Sequence, residues 1–340
     1  MTNKIKTSSL DYPLSNINIK QVPYSNRANA KLLDVHSKRI IKFKEIQTFI
    51  PSNSTLVINT STVHKVRIKA KKKHTKGNVE LFILKILDMN TFECLIKTNS
   101  KKTNDKVYYV DNIEMCIVSR TGDVFTIKIT NSECDTLISH HGLMPLPPYI
   151  KDNESKYNGY QTEYADGGFS VAAPTAGLHF TKTLINKLKH NGVNIINLNL
   201  DVGLGTFSPI KSRYINDHKI HTEEYEINKN AIEQLLDDKR SNRKIICVGT
   251  SSLRAIETCF KTDIPQLQGV TKLFIKRGFS FKFANGLITN FHAPRSSLLA
   301  IIDSLLEDDW INIYNYALNS GLYFLSFGDA MYIDIDKCKI

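Results

Sequence analysis

Asn290-Phe291-His292-Ala293-Pro294-Arg295 sets an amide, an imidazole and a guanidinium within six positions, directly after an apolar run. An amide orients, an imidazole exchanges a proton and a guanidinium holds a carboxylate or phosphate, so the three together describe a site. Ser326-Phe327-Gly328-Asp329 places a carboxylate directly after a glycine. Asp329 is suited to serve as a base or an orienting group, or only to cap a turn. His218 and His221 stand three apart, ahead of Glu223, Glu224 and Glu226 in a strand-like run. A carboxylate beside a histidine is an acid–base pair, whereas zinc would need a third ligand on a fixed face, and none is evident. Gly249-Thr250-Ser251-Ser252 precedes Arg254 by one turn, an arrangement that grips a carboxylate or phosphate when it is more than a plain N-cap.

Phe169 to Thr181, FSVAAPTAGLHFT, gathers small residues around Pro174 and Thr175 and ends on His179. Such a loop lets backbone approach a ligand closely. Thr181 then caps a helix bearing Leu184, Ile185 and Leu188 that stops at Asn191-Gly192, and the free N–H groups of a helix start bind anions or polar ligands. Gly203-Leu204-Gly205 follows another strand, but without a third glycine opening a helix it is no dinucleotide fingerprint.

Positioning these groups takes strands and helices in alternation. Strands are expected at Lys31 to Val35, Thr55 to Ile58, Val193 to Leu200, Lys244 to Val248, Leu273 to Ile275, Leu287 to Phe291 and Tyr323 to Phe327. Helices are expected over Asn228 to Lys239, after Gly249-Thr250-Ser251-Ser252 and after Arg295-Ser296-Ser297. That alternation describes an α/β domain, whose sites lie at strand C-terminal ends. Between Val63 and Thr130 the rhythm differs: short strands follow one another with turn residues between them, which indicates a small β-barrel or sandwich. Its Lys69 to Lys76 run, KAKKKHTK, is a solvated hairpin tip unless the partner is RNA, in which case it contacts phosphate.

The 340 residues, 41% hydrophobic and 23% charged, suffice for two domains. A formal charge of +12 favours a polyanionic partner such as RNA. Cys94, Cys116, Cys134, Cys247, Cys259 and Cys338 are scattered without C-x-x-C spacing, which argues for reduced thiols and a cytoplasmic location and against structural zinc. No apolar run reaches the length of a membrane span.

MPLPPYI, YQTEYA, SVAAPTAGLHFT, VGLGTF, HKIHTEEYEI, VGTSSLRAIET, GLITNFHAPRSSLL and SFGDAM occur in this order, and with them the chain from Leu10 to Ile333 resembles the S-adenosylmethionine:tRNA ribosyltransferase-isomerases of queuosine biosynthesis. The resemblance implies a barrel-like α/β domain, residues 1–61 and 142–340, interrupted by a β-barrel over 62–141. It implies transfer and isomerisation of the ribosyl group of S-adenosylmethionine onto 7-aminomethyl-7-deazaguanine at the tRNA wobble position, giving epoxyqueuosine and releasing adenine and methionine. S-adenosylmethionine is then a consumed substrate, with no metal or further cofactor, in a cytoplasmic monomer that meets no membrane. This chemistry needs a base, a proton donor and an anion clamp. Asp329 or Glu223 is expected as base, His179 or His292 as donor to adenine and Arg254 or Arg295 as clamp, with His221 a further catalytic candidate in a matching motif. Gln161, Thr162, Thr175, Gly177, Gly203, Gly205, Thr250 and Asn290 stand in the matching motifs as substrate-binding positions. The chain departs from the family pattern where Phe169 replaces a glycine, Asp201 a histidine and Glu224 a tyrosine, and where Lys276-Arg277-Gly278 replaces Tyr-Pro-Gly. The two gained cations are candidates for altered tRNA contacts. An RNA-binding protein without turnover is the rival reading; a methyltransferase is disfavoured because its Gly-rich fingerprint is missing.

Overall fold

The structure is a computed structural model that describes residues 4–98, 106–151, 159–203, 205 and 209–338. It divides into two units, Met1–Thr62 with Pro147–Ile340, and Val63–Leu146. The first opens with β1 (Lys31–Asp34), β2 (Ile40–Lys42) and β3 (Ser54–Asn59). In the second, β4 (Arg67–Lys72), β5 (Asn78–Asp88), β6 (Thr91–Thr98), β7 (Val107–Val110), β8 (Ile113–Thr121) and β9 (Val124–Ile129) are followed by α1 (Cys134–His141) and β10 (Gly142–Leu143). Every pairing there is antiparallel, and β4 pairs with both β5 and β7, which closes β4-β5-β6-β9-β8-β7 into a barrel. Alternation of buried and outward residues along β4 is what a barrel with one filled face requires.

The first unit resumes with α2 (Lys182–His190), β11 (Asn194–Leu200), β12 (Glu223–Glu226), α3 (Lys229–Arg240), β13 (Lys244–Val248), α4 (Gly249–Cys259), β14 (Gln268–Thr271), β15 (Gly286–Asn290), α5 (Ser297–Leu306), α6 (Asp309–Asn319) and β16 (Ala330–Asp334). One sheet orders its strands β14-β12-β11-β3-β13-β15-β16-β1-β2. Neighbours β11, β3, β13 and β15 are parallel, and β3 and β15 are buried along their whole length. A continuous apolar run without polar alternation needs cover on both faces, and the packing supplies it. Ile245 and Cys247 of β13 join the helices α3 to α6 on one side, while Ile246 and Val248 meet Phe43, Ile46 and α2 on the other.

Two expected strands lie elsewhere. Gln268–Thr271, not Leu273 to Ile275, pairs with β12, because Leu273 to Ile275 turns in toward the core and its Leu273 carbonyl accepts from Arg254 Nε. Tyr323 to Phe327 is a loop and the final strand is β16. Asp329 ties that loop to the chain beside it: Oδ2 accepts from Tyr323 N at 2.8 Å, and Oδ1 from Lys31 N at 2.7 Å and Tyr24 Oη at 2.9 Å. Helix α6 is a further element beyond those the sequence pattern predicts: Trp310, Ile313, Tyr314 and Ala317 form its buried face after only a short break from α5.

Gly328 completes the same loop, for a Cβ there would lie 2.5 Å from the Tyr323 carbonyl oxygen. Gly328→Ala is expected to cost about 1–3 kcal/mol in urea unfolding. Gly77→Ala, whose Cβ meets nothing closer than 3.5 Å, is expected to change stability by about 0.5 kcal/mol or less.

Candidate functional site

At the C-terminal edge of the parallel strands, Thr175, Glu223, Thr250, Arg254, Asn290 and His292 line one cavity. They reach it from different elements, the usual consequence of a sheet whose strand ends all open on one side. Glu223 begins β12, and its Oε1 accepts the Gly203 N–H at 3.1 Å. Its Oε2 accepts from Arg254 Nη1. Arg254 sits on the second turn of α4, 5% exposed, with Nε donating to the Leu273 carbonyl at 2.9 Å. Its Nη2 is buried and has no hydrogen-bond partner. A buried guanidinium with one donor unmet retains a strong preference for an acceptor, above all an anionic one.

The start of α4 lies on the same wall. Gly249 adopts φ +86°, a conformation that suits glycine, and Val248 offers no side-chain cap. Gly249, Thr250 and Ser251 therefore present the first turn of the helix to the cavity. Ser296, the cap of α5, lines it too.

Neutral imidazoles stand at the strand-β15 side. His292 is held through its backbone by Tyr12 Oη at 2.6 Å and Tyr314 Oη at 3.1 Å, and its Nε2 lies 3.1 Å from Thr289 Oγ1. Burial lowers its pKa from 6.5 to about 3. His179 lies behind the wall, 4.9 Å ring to ring from Phe43, and burial lowers its pKa to about 4. Asn290 Nδ2 faces His179 Nε2 at 3.3 Å and also bonds the Leu325 carbonyl at 3.2 Å, while Asn290 Oδ1 accepts from Thr175 Oγ1 at 3.1 Å. The FSVAAPTAGLHFT loop and the β15 end are thus locked together through one amide. Thr181 caps α2 by accepting from Leu184 N at 3.1 Å, and Gly192 ends it at φ +84°.

A second cavity adjoins the Glu223–Arg254 pair, lined also by Gly205, His218, His221 and Phe274. Gly205 is required there, since a Cβ would come within 2.1 Å of His221 Cδ2. His218 packs edge-on to Phe274 at 5.4 Å, and its pKa is lowered by burial and then by His221.

Other expected residues lie away from the first cavity. Gly203 contributes only its amide, and Gly177 packs against Tyr164 Oη, which a Cβ would meet at 2.0 Å. Gln161 accepts from Arg27 Nη1 through its carbonyl, and Thr162 is buried. Arg295, half exposed at φ +54°, is paired with Asp11. Asp329 is fully buried and does not line the cavity; its three hydrogen bonds all go to the loop and chain beside it, and burial raises its pKa. Phe169 does not line the cavity either: its N–H donates to Asp201 Oδ1 at 2.7 Å, and the same oxygen accepts from Ser61 Oγ at 2.7 Å. Arg277 binds Asp303 and Asp308 rather than presenting a free cation, and Lys276 lies over Phe274. Leu204, Thr206 and Phe207 of the VGLGTF motif lie outside the described residues.

Sequence reasoning missed Tyr149 and Ser326, whose hydroxyls meet at 2.7 Å on the cavity wall. Both belong to motifs quoted above, MPLPPYI and SFGDAM, so the motif rather than the residue type carried the signal. Leu325, also on the wall, takes φ +65°, a strained conformation for a branched side chain and one held by its bonds to Asn290 and Phe291.

Comparison with known proteins adds to this geometry. The family model described as Queuosine biosynthesis protein matches residues 7–333. The chain is 37% identical over 337 residues to the S-adenosylmethionine:tRNA ribosyltransferase-isomerase of a Sulfurihydrogenibium species, covering 97% of this chain and 100% of the relative. It is also 37% identical to the enzyme of that name from Staphylococcus epidermidis, covering 95% and 98%. Among solved structures, the S-adenosylmethionine tRNA ribosyltransferase of Thermotoga maritima is similar with a TM-score of 0.53 and 28% identity, over 96% of this chain and 100% of that one.

The buried imidazoles make stability pH-dependent with a definite sign. Because folding depresses the His179 pKa from 6.5 to about 4, its contribution is complete above the unfolded value and is lost as pH falls toward the folded one, at about 1.4 kcal/mol per pH unit. His179→Gln is expected to flatten the unfolding free energy against pH by about that slope between 6.5 and about 4. Identical slopes in variant and parent would contradict a neutral buried His179.

Proposed function

The chain belongs to the queuosine biosynthesis protein family, and on that premise we propose that it is an S-adenosylmethionine:tRNA ribosyltransferase-isomerase whose reaction takes place in the cavity at the strand ends. The observation that carries the placement is the buried Arg254 Nη2, unmet beside the open first turn of α4. Together they offer an anion a charge, a guanidinium N–H and backbone dipoles, which suits the carboxylate of the methionine half of S-adenosylmethionine. The finer reading is that the ribosyl group passes to the amine of 7-aminomethyl-7-deazaguanine at the wobble position, giving epoxyqueuosine and releasing adenine and methionine. S-adenosylmethionine is consumed, with no further cofactor, and the enzyme works as a cytoplasmic monomer.

The chemistry sets demands that the wall residues meet. A sulfonium acidifies the adjacent 5′ carbon, so a positioned base removes its proton. Both carboxylates considered for this step accept hydrogen bonds on both oxygens, but Glu223 lines the cavity and Asp329 does not. Glu223 is therefore assigned as base and Asp329 as a positioning residue. Adenine leaves with a proton taken from solvent, and His292 at the cavity surface, neutral with its pKa lowered to about 3, orients the leaving base through a hydrogen bond. Asn290 and Thr175 orient the substrate, and His179 orients Asn290. The clamp is Arg254, since Arg295 is paired with Asp11 outside the cavity.

Incubation with S-adenosylmethionine and tRNA carrying the aminomethyl base is expected to release one adenine per modified nucleoside, read by chromatography and nucleoside mass. Methyl transfer without adenine would overturn the assignment, and tRNA binding with neither product would favour a binding protein. Glu223→Gln is expected to lower turnover by about 100-fold or more, and Arg254→Met to weaken S-adenosylmethionine binding by a similar factor, because it strands a buried carboxylate. Asp329→Asn is expected to lower the thermal midpoint while retaining turnover in the folded fraction; abolished turnover at unchanged stability would return the base role to Asp329.

A further inference from the structure

The inserted barrel carries a charge pattern that the cavity does not use. Along β4, Ile68, Ala70 and Lys72 are buried while Lys69 and Lys71 are exposed. The register extends this outer face across neighbouring strands. Lys69 lies opposite Glu80, which lies opposite Lys97, and Lys71 lies between Asn78 and Tyr109. At the hairpin tip Lys76, with φ +57°, sets its Nζ 5.0 Å from the centre of the Tyr109 ring. The nearby acids are already engaged, Glu80 by Arg67 at 3.1 Å and Glu114 by Lys73 at 2.8 Å. Among the described residues, Lys69, Lys71, Lys76 and Lys97 have no carboxylate partner.

Lys69 has Glu80 opposite but Lys71 stands between the uncharged Asn78 and Tyr109, and like charges on adjacent outward positions of a strand repel. A face that concentrates them around a tyrosine ring has the composition of a surface for a polyanion with stackable bases. We infer that the outer face of β4 and β7, built from Lys69, Lys71, Lys76 and Tyr109, docks the phosphate backbone of tRNA. The lysines meet phosphates, and Tyr109 meets an unstacked base or a ribose. This rests on the tRNA reading above and adds where the RNA is gripped.

The test measures tRNA binding by the full chain across a salt series. Replacing Lys69, Lys71 and Lys76 together by alanine is expected to weaken binding roughly tenfold to a hundredfold and to reduce the slope of log affinity against log salt by roughly two to three. Arginine at the same positions is expected to restore both, which separates charge from folding. An equal charge loss at the exposed Lys189, Lys229 and Lys261 is expected to leave the slope unchanged. If the barrel alanine variant keeps the parent slope and affinity, or if the control loses as much, the docking face is overturned. A parent chain that binds no tRNA at any salt would instead overturn the tRNA reading, and the docking face with it.

Discussion

A buried ion pair, Glu223 with Arg254, is the constraint around which the site is arranged. Two desolvated charges are stable only when their remaining valences are met, and here the neighbouring elements meet them: Gly203 N–H on the carboxylate, the Leu273 carbonyl on Nε. That is why β12 and α4 are fixed relative to each other, and why Leu273 to Ile275 turns inward instead of continuing β14. Arg254 Nη2 is left buried without a hydrogen-bond partner, and Arg254 itself lines the cavity. The pair also borders the second cavity, so one interaction shapes two adjoining spaces. A reaction that joins two substrates through one ribosyl group has use for such a junction.

Around the pair, buried polar side chains hold the loops that form the walls. Asn59 binds both the amide and the carbonyl of Leu200, tying the ends of β3 and β11. Asp201 gathers Ser61 and the Phe169 amide, fixing the start of the loop that carries Thr175. Asp329 performs the same service for the loop bearing Leu325 and Ser326. A carboxylate that accepts backbone N–H groups replaces the hydrogen bonds a strand would have made, so the loops stay ordered without regular structure.

Much of this was legible in the chain. The continuous apolar run KIICV announces a central buried strand, and the alternating β4 to β9 stretches announce a one-sided barrel, because burial on two faces or one leaves different periodicities. Thr175, Glu223, Thr250, Arg254, Asn290 and His292 were all identified from residue type and motif, and the fold brings them to one cavity. What could not be read was the orientation of side chains. Asp329 and Arg295 have types as suggestive as Glu223 and Arg254, and only the fold shows them held away from the cavity, Asp329 by Tyr24, Lys31 and Tyr323 and Arg295 by Asp11. Arg277 illustrates the same limit: a gained cation near a motif is satisfied by Asp303 and Asp308, residues about one helix further along the chain. Tyr149 and Ser326 escaped because a hydroxyl pair formed across 177 positions leaves no local trace.

The most direct measurement is the structure of the full chain with S-adenosylmethionine bound. The methionine carboxylate is predicted on Arg254 Nη2 and the α4 amides, with the 5′ carbon facing Glu223 and the adenine near His292. A ligand seated elsewhere, or one that leaves Nη2 unengaged, would contradict the account.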